Sequence, residues 1–580
     1  MKLIFRSLSR YGRNVALAIC VKLLGTLSEL GIPYILEHLI DEVVPAGDMR
    51  AVILWGLGMF AAAFACRQLN VTANRLAIRN AHRVSWDIRQ ALFEKTMRLE
   101  GDQFDAFGLP SLISRMTSDS YNVQAASQQL QTLCVRSPIM LLGGVMVTLI
   151  MDARLALILV ILLPFLIASV LVVSAKGLPV YARVQAKLDA VVRVMRENIT
   201  GIRVVKALSK EGYEKRRFAR ANEDMTESDI TAATVMAIPG PFMQLCLNAG
   251  LAVVVLVGAG RVDRGVMKPG VILSFLTYFN MIAMGLMGLG RIFMTMSRAG
   301  ASADRIDRVL RAPEGRGALP EAEGKVPSGG GFIRFEHVDF SYGGGENGSL
   351  RGREKALTDI SFTLEKGESL GIIGPTGSGK STIVSLLMGF YEADAGGIFL
   401  DGRDVRCFGR EELRSRFGAV FQNDMIFQAA LRENIRFSRA VEEPAVRRAL
   451  EEAMAADFVA GLEEGLDHEA AIRGADMSGG QKQRILVARA LAADPEILVL
   501  DDSSSALDYR TDAAMRKAIL EGHPGTTLIL IAQRVSSVMN LTKILVMDDG
   551  RAIGFGTHEQ LMASCPAYRE TYEIQMGSMG

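Results

Sequence analysis

The run Gly374-Pro375-Thr376-Gly377-Ser378-Gly379-Lys380-Ser381-Thr382 carries the strongest chemical signal in the chain. It follows an apolar stretch, Ser369–Ile373, and opens a helical one. That is the context of a phosphate-binding P-loop. Glycines let backbone N–H groups close around phosphate oxygens, and the N-terminus of the following helix adds its positive dipole end. Lys380 is placed to reach β- and γ-phosphates and Ser381 to bind Mg2+, which points to a nucleoside triphosphate. A second run, Ile497-Leu-Val-Leu-Asp501-Asp502, reads as a fully buried strand ending in acid. Asp501, at the carboxyl end of that strand, can hold Mg2+ directly or through water.

The third run, Met477-Ser478-Gly479-Gly480-Gln481, leads into a helix from Lys482. It resembles the Leu-Ser-Gly-Gly-Gln signature of ATP-binding cassettes, the ABC family. Other motifs are in register with that family. Tyr342 falls where the family stacks an aromatic ring on adenine. Gln422 matches its Q-loop glutamine, which joins the nucleotide site to the membrane domain and, with Ser381 and Asp501, is expected at Mg2+. Ser505-Ala-Leu-Asp508 matches the D-loop, and Gln533 takes the place of the switch histidine. The resemblance spans the chain and is to the exporter-type ABC half-transporter, supported by Gly201-Ile-Arg-Val-Val-Lys206 and Arg305-Ile306. It implies ATP and Mg2+ as ligands and a head-to-tail cassette dimer. Each ATP would lie between one subunit's P-loop and the signature Ser478–Gln481 of the other.

Two catalytic positions depart from the pattern. The family has Glu after the strand-ending Asp, where this chain has Asp502; it has His where this chain has Gln533. Asp is one methylene shorter, and a misplacement of about 1 Å can cost ~100-fold in rate. Glutamine can hydrogen-bond a γ-phosphate but carries no positive charge. Both changes point to slow turnover at this chain's own P-loop. The chain therefore resembles the degenerate-site subunit of a heterodimeric bacterial multidrug-type exporter, whose partner half supplies the intact Glu and His. A competent homodimer and an ATP-sensing regulatory half-transporter are the alternatives.

These residues need a scaffold. The chain has 580 residues, 49% of them hydrophobic, and a mean hydropathy of +0.23. That suits a chain part membrane and part globular. Apolar spans are expected near 14–38, 51–73, 129–151, 155–175, 235–260 and 270–292. Each is about 20 residues or longer, enough to cross a ~30 Å hydrocarbon core. Residues 74–128 and 176–234 are helical and basic, with Arg75, Arg79, Arg83 and Lys95 in the first and Lys206, Lys210 and Lys215 in the second. The positive-inside rule places them and both termini in the cytosol; the resemblance implies a bacterial cell, with the spans in its cytoplasmic membrane. Arg261, Arg264 and Lys268 on the outer side run against that rule. Short surface helices are expected near Phe107–Asp119 and Ser209–Phe218, where the two long segments turn back.

The fold class is thus multi-domain: an all-α six-helix transmembrane domain over 1–310, a Pro/Gly-rich linker over 311–331, and an α/β cassette over 332–580. The 65 basic and 63 acidic residues nearly cancel, which argues against a nucleic-acid surface. No cleavable signal peptide is evident. Cys20, Cys66, Cys134, Cys246, Cys407 and Cys565 show no metal or redox spacing and read as buried small hydrophobes.

Charged residues inside spans are candidates for a cargo path. Lys22, Glu29, Arg67, Arg136 and Arg291 are of this kind, with snorkelling or helix packing as the alternative. The last span carries Phe275, Tyr278, Phe279, Met281, Met284 and Met287. Methionines spaced this way share a helical flank and suit flat apolar cargo, while Gly285, Gly288 and Gly290 suit helix packing. The partners expected are a second half-transporter, membrane lipid, and a hydrophobic small-molecule, lipid or peptide cargo.

Overall fold

A computed structural model of the chain describes residues 1–313, 329–343, 355–503 and 506–577. They divide into two units: Met1–Met97 with Pro110–Arg311, and Arg98–Leu109 with Ala312–Gly580. Part of the linker expected over 311–331, residues 314–328, lies outside the described residues, as does Ser505 of the D-loop.

In the first unit, long apolar runs form long helices, even where proline lies inside, as at Pro33 and Pro138. Five among the described residues are long and apolar enough to cross a membrane: Gly12–Val43, Met49–Arg98, Leu109–Met151, Glu211–Asp263 and Pro269–Leu310. The sixth, Ala153–Thr200, has an apolar start over Ala153–Ala168. The span expected at 155–175 continues into residues whose side chains are not described. Asp152 caps that helix by accepting the N–H groups of Arg154 and Leu155.

The two short helices stand earlier than expected. The first is Gly101–Phe107, opened by a Glu100–Gln103 capping box and ended by Gly108 in the left-handed region. The segment expected to be that surface helix instead begins the next long helix, running through a π turn at Arg115–Asp119. The second is Ile202–Ala207, closed by Ser209 at φ 50°, after which Glu211–Ala237 is again a long helix. Arg98–Leu109 was expected in the membrane domain but groups with the cassette. Gly101 donates its N–H to the Phe390 carbonyl at 3.2 Å, and the Tyr391 hydroxyl donates to Asp105 at 2.7 Å.

Several polar groups among the spans find partners, as apolar surroundings favour. Lys22 donates to Asn70 at 2.8 Å, Arg136 forks onto Glu29 with its closer bond at 2.7 Å, and the Tyr278 hydroxyl donates to the Leu30 carbonyl at 2.7 Å. Of the three basic residues that run against the positive-inside rule, two have acidic partners: Arg261 pairs with Asp152 at 2.6 Å, and Lys268 with Glu42. Cys66 is buried with Cys407 and Cys565, but Cys134 and Cys246 are half-buried and Cys20 is exposed. This corrects the expectation of uniform burial: thiols in a membrane helix can face lipid at little cost.

Helix Pro269–Leu310 packs through small residues. A Cβ on Gly285 would lie 3.0 Å from the Ser137 carbonyl oxygen and 3.2 Å from the Leu141 nitrogen, both main-chain atoms that cannot swing away. Gly285→Val is expected to destabilise the unit by about 1–3 kcal/mol. A drop in the thermal midpoint of the detergent-purified protein would register it, and an unchanged midpoint would refute the packing role.

The cassette holds two sheets. Strands β1 (Ile333–Ser341), β2 (Lys355–Leu364), β4 (Ala395–Leu400) and β5 (Arg403–Asp404) form an antiparallel sheet ordered β2-β1-β4-β5. The second sheet is ordered β10-β9-β3-β8-β7-β6, from β3 (Ser369–Ile373), β6 (Phe417–Val420), β7 (Ile497–Asp501), β8 (Thr527–Ile531), β9 (Lys543–Asp548) and β10 (Arg551–Gly556). All but β10 run parallel. Strands β3, β7 and β8 are buried throughout. Their side chains alternate between two cores: Ile497 and Val499 join one, Leu498 and Leu500 the other.

Candidate nucleotide site

Four neighbouring parallel strands deliver the site. Gly374 follows β3, Gln533 lies just past β8, Asp501 ends β7, and Gln422 lies just past β6. Residues far apart in sequence thus gather at the carboxyl edge of one sheet, where open α/β sheets bind ligands.

The P-loop turn depends on glycine. Gly379, at φ 92°, caps helix Lys380–Leu387. A Cβ there would lie 2.7 Å from the Ala356 carbonyl oxygen, so backbone conformation and space both demand glycine. Lys380 is 9% exposed and its ammonium donates to the carbonyls of Gly374 at 2.9 Å and Pro375 at 2.6 Å. Burial lowers its pKa below the ordinary lysine value, while Asp501 and Asp502 oppose the shift. The Ser378 hydroxyl is buried with no hydrogen-bond partner. An orphaned donor inside a ring of backbone amides, beside a buried ammonium, fits a polyphosphate.

Asp501 is 5% exposed. Burial raises its pKa, the Ser381 hydroxyl opposes this, and Asp502 pushes it up further. One carboxylate beside one hydroxyl suits a hard cation whose other ligands are phosphate oxygens and water, so Ser381 and Asp501 are the residues that would hold Mg2+. Gln422 is exposed beyond β6.

Asp502 adopts φ 49°, a left-handed conformation uncommon outside glycine. Its N–H donates to the Ile531 carbonyl at 3.0 Å. Burial raises the Asp502 pKa, against the pull of Lys380 and Arg534. The Gln533 side-chain amide donates to Oδ2 of Asp502 at 3.3 Å. The two positions that depart from the family pattern therefore touch each other.

Tyr342 is 42% exposed, donates its hydroxyl to Thr382 at 3.1 Å, and meets Phe340 and Tyr391 nearly perpendicularly. The ring is held from two sides and retains exposed surface.

The signature builds a separate surface. Ser478 caps helix Gly479–Leu491, accepting the Gln481 N–H at 3.3 Å, while Gln481 accepts the Ser478 N–H at 2.8 Å. Ser478, Gly479 and Gly480 line a cleft of about 330 Å3 with Asp508 and Thr511, and neither Lys380 nor Asp501 lines it. Asp508 caps its own helix, Tyr509–Gly522, accepting the Thr511 N–H at 3.0 Å. That bond lowers the Asp508 pKa. Two contacts here were missed from sequence. Gln483 accepts the Ala506 N–H at 3.1 Å, and a Cβ on Gly480 would lie 3.0 Å from the Ala506 carbonyl. The glycines thus serve close packing against Ala506.

Of the five cargo candidates, Lys22, Glu29 and Arg136 form one interacting charged cluster, while Met284 and Arg291 stand on helix Pro269–Leu310. Lys22 is 4% exposed and bound to Asn70 and Asn74, so it does not line an open path. Glu29 and Arg136 are paired with each other. Met284 is 58% exposed, and Arg291, about two turns on, shares its face. Phe275, Tyr278 and Phe279 are fully buried among helices, which removes them from a cargo surface.

Comparison with known proteins gives a concordant result. The family described as the ABC transporter transmembrane region matches residues 15–287, and the family described as ABC transporter matches 357–505. An ABC transporter ATP-binding protein of Mycobacterium tuberculosis (strain CDC 1551 / Oshkosh) is 33% identical over 566 residues, 97% of this chain and 95% of the relative. The ABC transporter ATP-binding protein YfiB of Bacillus subtilis (strain 168) is 32% identical over 580 residues, 99% of this chain and 98% of the relative. The structure of a bacterial Atm1-family ABC exporter with ATP bound superposes with a TM-score of 0.80 at 23% identity, covering 97% of this chain and 98% of that one.

Proposed function

The chain belongs to the ABC transporter family, and we propose that it is the degenerate-site half of a heterodimeric exporter. It is a multi-pass membrane protein with an ATPase domain and the fold of an ABC exporter half. The observation that carries the finer reading is the hydrogen bond from Gln533 to Asp502. A carboxylate that must orient an attacking water is shortened by one methylene, and one of its oxygens is engaged by an amide that cannot carry charge.

In this reading the P-loop binds ATP and turns it over slowly. Tyr342 stacks on adenine, and Gly374–Thr382 with Lys380 hold the phosphates. Ser381 and Asp501, with Gln422 from the end of β6, would hold Mg2+, which would supply charge neutralisation. The signature Ser478–Gln481 completes the site of a partner that carries Glu and His. ATP binding closes the paired cassettes, and the membrane helices release cargo outward. The cargo is hydrophobic or amphipathic, a reading supported by the exposed Met284 and Met287. Basic residues of 74–128 and 176–234 support a cytoplasmic-membrane location with cytosolic termini.

The test is the ATPase rate of this chain purified alone and with the half encoded beside it. Alone, the rate should be low; paired, it should be that of a working transporter. Asp502→Glu by itself should not raise the solitary rate, because Gln533 still cannot carry charge at the γ-phosphate. Asp502→Glu with Gln533→His should raise it about 10- to 100-fold. Brisk hydrolysis by the unaltered solitary chain would refute the degenerate-site reading. A pair that hydrolyses ATP in proteoliposomes without moving cargo would identify a regulatory half instead.

A further inference from the structure

We propose that Gln575 is a positioning residue that holds the switch loop at the nucleotide site, a role that rests on the reading of Gln533 as the residue facing the γ-phosphate. Gln575 lies in the last turn of helix Pro566–Gly577. That helix is anchored near its start, where Tyr568 is 1% exposed, packs in a cassette core, and bonds His558 at 2.8 Å. About two turns later, on the same face, Gln575 meets the chain that leaves β8. Its side-chain amide is bidentate on the main chain. Nε2 donates to the Gln533 carbonyl at 3.0 Å, and Oε1 accepts the Val535 N–H at 2.7 Å.

These two bonds bracket Arg534 just where the ladder of β8 has ended at Ile531 and no longer fixes the backbone. A planar amide that bonds both sides of one residue fixes the direction in which that stretch projects its side chains. Gln533 then reaches Asp502. A continuous hydrogen-bonded path runs from the C-terminal helix through Gln575 and the backbone of Gln533 to the carboxylate beside the P-loop.

A residue that only supported the fold would alter both nucleotides' affinities or the thermal midpoint. A residue that aims Gln533 at the γ-phosphate alters ATP alone, because ADP lacks that group. The assembled transporter is photolabelled with 8-azido-ATP, and labelling of this subunit is competed by ATP or by ADP. Gln575→Ala is expected to weaken ATP competition about 5- to 10-fold, leaving ADP competition and the nucleotide-free midpoint unchanged. Gln575→Glu keeps the acceptor for Val535 but sets a carboxylate against the Gln533 carbonyl, so it should lose as much. Gln533→Ala should match them, and the double replacement of Gln533 and Gln575 should add nothing. Equal losses for ATP and ADP, or silence in both Gln575 variants while Gln533→Ala is defective, would overturn the strap alone. A silent Gln533→Ala would overturn the switch reading and the strap with it.

Discussion

Gly480→Asp is expected to cut the ATPase rate of the assembled transporter at least about 100-fold, with ATP labelling of this subunit's own P-loop unchanged. Gly480 lies in the first turn of helix Gly479–Leu491, beyond the Ser478 cap. The first N–H groups of a helix have no intrahelical acceptor, and the dipole places about half a positive charge there. Ser478 takes the N–H of Gln481, so the amides of Gly479 and Gly480 are the ones offered outward. In the proposed sandwich they meet phosphate oxygens of the partner's ATP. An aspartate there replaces attraction by repulsion between anions. Loss of one preorganised donor costs about 100- to 1,000-fold in comparable sites. The thermal midpoint, measured alongside, guards against disturbance of the D-loop behind Gly480. An intact assembly that hydrolyses ATP at the original rate would show that this signature serves no catalytic site.

Lys380→Ala is expected to weaken ATP binding to this subunit by about 100-fold, since hydrogen bonds to charged groups contribute about 1.5–3 kcal/mol each. The ammonium is buried and already bound to two loop carbonyls, so part of its desolvation is met before ligand arrives. The overall ATPase should fall far less than with Gly480→Asp if, as proposed, the competent hydrolytic site belongs to the other half. That asymmetry separates the two assemblies. In a homodimer Lys380→Ala removes every P-loop lysine and the rate collapses. Competition of azido-ATP labelling and steady-state hydrolysis, made on one preparation, read both quantities.

Much of the site was legible because its demands are local. A loop that encircles phosphate needs glycine at left-handed positions and a lysine at its end, and the run 374–382 shows both. Strands β3 and β7 are short apolar runs, and the spans are long ones. Other features misled. The expected surface helices near Phe107–Asp119 and Ser209–Phe218 stand earlier, because Glu100–Gln103, Gly108 and Ser209 set the breaks rather than the polarity of the flanking residues. Lys22 looked like a cavity residue and is instead spent on Asn70 and Asn74, one helix away.

The motifs and the expectation of two parts could be read from the chain alone, since a glycine-rich turn before a helix and a long apolar helix each depend on residues adjacent in the chain. Which distant groups meet emerges only on folding: Gln533 with Asp502, Gln575 with the backbone around Arg534, Arg261 with Asp152. Such pairs form when packing of the sheet and helices brings segments together, and a buried polar group bonds whatever that packing places beside it.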